Sequence, residues 1–102
     1  MKELHYTFTC TAAPVQAEGS ICGKAFYFRS RHEHWNFAVS EDPDVDPADI
    51  QTSEQGSARG FFVEEKYGEK SFAASYMPLE EAERIIGRCA EMYLRMKSVG
   101  EI

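Results

Sequence analysis

The run Lys24 to Ser40, KAFYFRSRHEHWNFAVS, is the longest uninterrupted stretch of strand-forming residues in the chain and limits its fold more than any other feature. Phe, Tyr, Trp and Val dominate it, neither Pro nor Gly interrupts it, and its polar middle reads as a tight turn between two strands. With His32-Glu33 as a two-residue turn, Arg31 faces His34, Ser30 faces Trp35, Arg29 faces Asn36, Phe28 faces Phe37, Tyr27 faces Ala38 and Phe26 faces Val39. The residues then separate by chemistry. Phe26, Phe28, Trp35, Phe37 and Val39 share one face, and Tyr27, Arg29, Arg31, His34, Asn36 and Ala38 share the other. A slip of one residue would mix the two sets. His-Glu is a poor fit to the positive φ angles of a primed turn, and a four-residue loop from Arg31 to His34 preserves the same pairing.

Before this hairpin, Leu4, Tyr6, Phe8, Cys10 and Ala12 alternate with His5, Thr7, Thr9 and Thr11, the pattern of a half-buried strand. Ala13 to Gly23, with Pro14 and Gly19, reads as a connection in which Val15 and Ile21 fold back over a sheet edge. After the hairpin, residues 41–60 are acidic and poor in apolar side chains, forming a long surface loop. Within it Asp46-Pro47-Ala48-Asp49 is a helix start, with Asp46 as N-cap and Pro47 at the first helical position.

Phe61 to Tyr67 and Lys70 to Met77 predict a second hairpin around Gly68-Glu69. Phe61, Val63, Phe72, Ala74 and Tyr76 would face one way, and Phe62, Glu64, Lys66, Ser71, Ala73 and Ser75 the other. Pro78 opens a helix in which Leu79, Ala82, Ile85, Ile86, Cys89, Met92, Tyr93 and Met96 recur at helical spacing. Glu80, Glu81 and Glu83 lie near its start and Arg95 and Lys97 in its last turn, as the macrodipole favours. Glu80 with Arg84 and Glu91 with Arg95 are candidate i,i+4 pairs, and Gly100 marks the stop. The expected architecture is α+β: an antiparallel sheet of about five strands, two hairpins plus an N-terminal strand, covered on one face by the C-terminal helix.

At 102 residues and 43% hydrophobic, the chain suits one α+β domain over 1–102. The formal charge of -6 argues against nucleic acid as a partner, because phosphate binding rests on an excess of Lys and Arg. No apolar leader or membrane-spanning run is present, so no membrane is expected and the expected location is cytoplasmic. Three cysteines, Cys10, Cys22 and Cys89, form no C-x-x-C pair and predict no disulfide framework.

His32-Glu33-His34 lacks a second ligand cluster, and Asp42, Asp44 and Asp46 lack the Gly and Glu that a calcium loop requires, so no metal is assigned. No nucleophile with a base and no phosphate loop is evident, so neither a catalytic residue nor a cofactor is assigned. The expectation is a small acidic non-catalytic interaction module, of inhibitor, immunity or accessory type, that meets a macromolecular protein partner or a second copy as a homodimer. Two surfaces qualify. One is the open sheet face with Tyr27, Arg29, Arg31, His34 and Phe62. The other is the acidic loop, where Glu41, Asp42, Asp44, Asp46, Asp49 and Glu54 could form an anionic patch. The alternative is a small-ligand-binding or enzymatic domain with a pocket near His34, Arg29 and Arg31.

Overall fold

The computed structural model describes residues 3–11, 14–50, 60–68 and 74–100. Five strands form one antiparallel sheet in simple sequential order: β1 (Leu4–Thr11), β2 (Val15–Ile21), β3 (Lys24–Arg31), β4 (His34–Ser40) and β5 (Gly60–Lys66). A short helix, α1 (Pro47–Ile50), precedes β5, and the C-terminal helix α2 covers Leu79–Ser98. The α+β architecture with one long helix on one sheet face is as expected.

The β3–β4 hairpin has the register that its alternation demands, from Phe26 opposite Val39 to Arg31 opposite His34. His32 adopts a φ of 56° to close the turn, a left-handed conformation uncommon outside glycine that His adopts more readily than most side chains. Neighbouring groups hold it there. The His32 N–H donates to Ser75 Oγ at 2.7 Å, the His32 carbonyl accepts the Ala74 N–H at 2.8 Å, and the Ser30 hydroxyl donates to the Ala74 carbonyl.

Two expected elements are differently placed. Val15–Ile21 is a strand and not a connection, with Val15, Ala17 and Ile21 buried and Glu18 exposed. Gly19 interrupts the strand pattern for a steric reason. A Cβ there would lie 1.9 Å from the His5 carbonyl oxygen and 2.5 Å from Tyr6 Cβ, so the close approach of β1 needs glycine. Toward Met77, where a strand was expected, Ala74–Tyr76 is a single 3-10 turn with Ala74 and Ser75 buried and Tyr76 exposed. Small residues give this segment weak strand preference, and the turn lets it bond to the tip of the β3–β4 hairpin. Glu69 to Ala73 lie outside the described residues.

A bulge between Phe8 and Cys10 sets Cys10 opposite Gln16 and Thr11 opposite Val15, and Cys10 is half-buried rather than enclosed.

On the helix side, Phe26, Phe28, Phe37, Ile21 and Val39 of the sheet meet Ala82, Ile86, Cys89 and Tyr93 of α2 in one core cluster. Phe26 and Phe37 lie 5.1 Å apart, and Phe61 meets Tyr93 edge-on at 5.7 Å. Each fully buried side chain of this size stabilises the fold by about 1.5–3 kcal/mol. The apolar stripe of α2 is narrower than its sequence predicts. Leu79 and Met92 are partly solvated on its flanks, while Ala90 is buried. Arg84 pairs with Glu81 at 3.2 Å rather than with Glu80, and Arg88 reaches across to Glu65 of β5 at 3.5 Å. Gly100, at φ 78°, ends the helix with its N–H on the Lys97 carbonyl.

Candidate functional site

Among the described residues no long helix lies over the second sheet face, and strand register arranges its side chains in rows, beginning with Ser20 and Ala25. Glu18, Tyr27, Ala38 and Phe62 follow one another across β2 to β5. Gln16, Arg29, Asn36 and Glu64 form the next row, and Arg31, His34 and Lys66 the last, beside the β3–β4 turn. The charges of the face are Glu18 toward one end, Arg29 and Glu64 in the middle, and Arg31 and Lys66 beside His34 at the other end.

The acidic end is enlarged by the loop. After β4 the chain turns at Asp42, whose carboxylate accepts the Asp44 N–H at 2.9 Å. Asp46 then caps α1 by accepting the Ala48 N–H at 2.9 Å, as an Asp-Pro helix start requires. Helix α1 packs on β3, β4 and β5, and the Ile50 side chain closes over Gly60. Pro47 is buried, and Ala38 beneath this end of the sheet is only 1% exposed. The loop therefore does not stand clear of the open face but covers one end of it. That is a correction to a wholly open second face.

Between the covering segment and the sheet runs a groove of about 420 Å³ lined by Glu18, Gly19, Ala25, Phe26 and Tyr27 from the strands and by Pro43, Asp44, Val45, Asp46 and Pro47 from the loop. Tyr27 forms one wall. Burial raises its phenol pKa, Arg29 opposes that rise, and Glu18 and Asp46 add to it, so the ring remains neutral and hydroxylated. The Glu18, Asp44 and Asp46 carboxylates line this space beside Tyr27, and among the described residues no Lys, Arg or His lines it, a combination complementary in charge to a cation.

Of the residues singled out from the sequence, Tyr27, Asp44 and Asp46 come together at the groove. Phe62 lies two strands away in the same row as Tyr27 and is 39% exposed. Arg31 and His34 lie at the opposite end of the face, and the groove is not beside them. Arg29 and Asn36 oppose each other in the middle row, where Arg29 Nε and Asn36 Oδ1 are shut off from solvent without hydrogen-bond partners among the described residues. Asp42 is occupied by its own turn and does not line the groove.

Glu41 does not belong to the anionic patch. Its side chain is 11% exposed and faces α2, where it accepts the Tyr93 hydroxyl at 2.8 Å and pairs with Lys97 at 2.8 Å and Lys24 at 3.9 Å. Glu54 and the side chain of Asp49 lie outside the described residues. Glu18 is the groove residue that sequence reasoning missed. The alternation of Val15, Ala17 and Ile21 with Gln16, Glu18 and Ser20 was the available signal for it.

Among the described residues, no group of three or more His, Cys, Asp or Glu side chains is placed to hold a metal ion, and no helix is long and apolar enough to cross a membrane. No family model, curated protein or solved structure matches this chain.

Proposed function

We propose that the protein is a non-catalytic interaction module that docks a basic protein partner on its second sheet face, with the groove at Tyr27 receiving a Lys or Arg side chain of that partner. The observation that carries this reading is the meeting of two surfaces that the sequence separates: Tyr27 of β3 and Asp44 and Asp46 of the loop line one groove. A cation entering it would meet the Tyr27 side chain together with the Glu18, Asp44 and Asp46 carboxylates, and contact with the face of the ring would be worth about 0.5–2 kcal/mol.

Phe62 supplies an exposed aromatic anchor in the same row, and aromatic and Arg anchors dominate protein interfaces. The polar middle row supports docking as well. Among the described residues Arg29 Nε and Asn36 Oδ1 lack partners where they are, and a rotamer change that carries the guanidinium outward would place it before a partner's carbonyl or carboxylate. The negative end of the face would also speed association with a basic surface.

The test uses an arginine-rich peptide as the probe and amide chemical shifts as the readout. The reading expects shifts concentrated at Ala25, Tyr27, Asp44, Val45 and Asp46. Shifts spread instead over the exposed glutamates of α2, with the groove unmoved, would show only unspecific attraction to an acidic protein and overturn the reading.

A further inference from the structure

The two edges of the sheet are guarded unequally. At one edge β5 carries Glu64, Glu65 and Lys66, charges of the kind that discourage a further strand. At the other, β1 reads LHYTFTCT, without a Lys, Arg, Asp, Glu or Pro. Among the described residues the outer edge from Leu4 to Phe8 has no strand paired with it.

Backbone geometry shows which groups β1 offers. The Cys22 N–H donates to the Glu3 carbonyl at 3.0 Å, so residues at positions 3, 5 and 7 turn their backbone groups toward β2. Leu4, Tyr6 and Phe8 consequently turn theirs outward. Their side chains lie on the helix side and are only partly buried there, packed against the core without being enclosed by it. The bulge after Phe8 ends the straight part of the strand. What remains, Leu4 to Phe8, is centred on Tyr6.

We infer that β1 pairs antiparallel with β1 of a second copy of this chain about a two-fold axis at Tyr6, joining two sheets into one. In that register Tyr6 meets Tyr6, and Leu4 meets Phe8. All of these residues turn their backbone groups outward, so each pair exchanges both of its hydrogen bonds. On the other face His5 meets Thr7. Apolar residues fall opposite apolar ones and polar opposite polar, as a self-complementary interface requires.

Charge favours a second copy through this edge rather than elsewhere. Two chains of formal charge -6 repel, and β1 is a strand on which they can meet without placing like charges opposite each other. The segment is short, so the interface lies at the low end of stable sizes, and dissociation in the micromolar range or weaker is expected. The inference does not depend on the groove at Tyr27, which lies over β2 and β3.

The test is solution mass by light scattering from about 10 μM to about 1 mM, on wild type, His5→Lys/Thr7→Lys and Phe62→Asp. His5 and Thr7 are exposed, and in the pairing each lysine would face another. The double variant also lowers the net charge, so general repulsion falls and cannot account for dissociation. The expected result is a concentration-dependent dimer for wild type and Phe62→Asp, and a folded monomer for the double-lysine variant. Hydrogen exchange should show protection at the amides of Leu4, Tyr6 and Phe8 that rises with protein concentration. A wild type that stays monomeric throughout would overturn the inference. So would a dimer unaffected by the lysines, or one whose Leu4, Tyr6 and Phe8 amides gain no protection.

Discussion

The Tyr93 hydroxyl donates a 2.8 Å hydrogen bond to the Glu41 carboxylate, tying α2 to the chain as it leaves β4. Burial alone would raise the Glu41 pKa. Hydrogen bonds from Lys97 and Tyr93 and the charges of Lys97 and Lys24 outweigh it, and the carboxyl titrates below its ordinary value. The Tyr93 phenol shifts upward, through burial and its bond to Glu41, and remains a donor.

A carboxyl with a lowered folded pKa contributes stability that is fully present above its unfolded value of about 4.3 and is lost as pH falls through the folded value. Glu41→Gln should therefore cost about 1–3 kcal/mol at neutral pH, measured by urea unfolding. The gap to wild type should hold from about pH 6 to 8 and close below about pH 4. A gap independent of pH would remove the charge from this account.

The β2–β3 turn is Cys22-Gly23, with φ of 51° and 81°. Asn adopts this left-handed region several-fold more readily than other side chains, equivalent to roughly 0.6–1 kcal/mol. Cys22→Asn should raise stability by about that amount. Thiol labelling of the native protein should reach exposed Cys22 and spare buried Cys89, whose pKa burial pushes up to about 12.

Gly87 sits within α2 with open space where a Cβ would project. Gly87→Ala should stabilise the protein by about 0.5–1 kcal/mol, read as a higher melting temperature. A loss of stability would mean that something approaches this side of the helix closely.

The left-handed tip at His32 is held by the 3-10 turn behind it. Ser75→Ala removes the acceptor for the His32 N–H, and Ser30→Ala removes the donor to the Ala74 carbonyl in a fully buried position. Each should cost about 1–3 kcal/mol. Faster amide exchange in Arg31 to His34 should accompany the loss, with the distal ends of β3 and β4 unchanged.

The β3–β4 hairpin was legible because one register alone separates Phe26, Phe28, Phe37 and Val39 from Tyr27, Arg29 and Asn36. Strand β2 was not, because Gly19 looks like a break when read locally, and its reason is a steric contact with Tyr6 from a different strand. The groove was half legible. Tyr27, Asp44 and Asp46 stood out singly, but their meeting depends on Pro47 and Ile50 packing back onto the sheet. Glu41 reads as one more acid in an acidic run, and only the approach of Tyr93 and Lys97 from far along the chain gives it a structural role.

The most direct measurement of the central claim is the affinity of an arginine-rich peptide by titration calorimetry, for wild type, Asp44→Lys/Asp46→Lys and Tyr27→Leu. Charge reversal should weaken binding at least about tenfold and flatten its salt dependence. Tyr27→Leu should weaken it about three- to thirty-fold with the net charge unchanged. Wild-type affinity in Tyr27→Leu would contradict the account, because the peptide would then be reading acidity and not this groove.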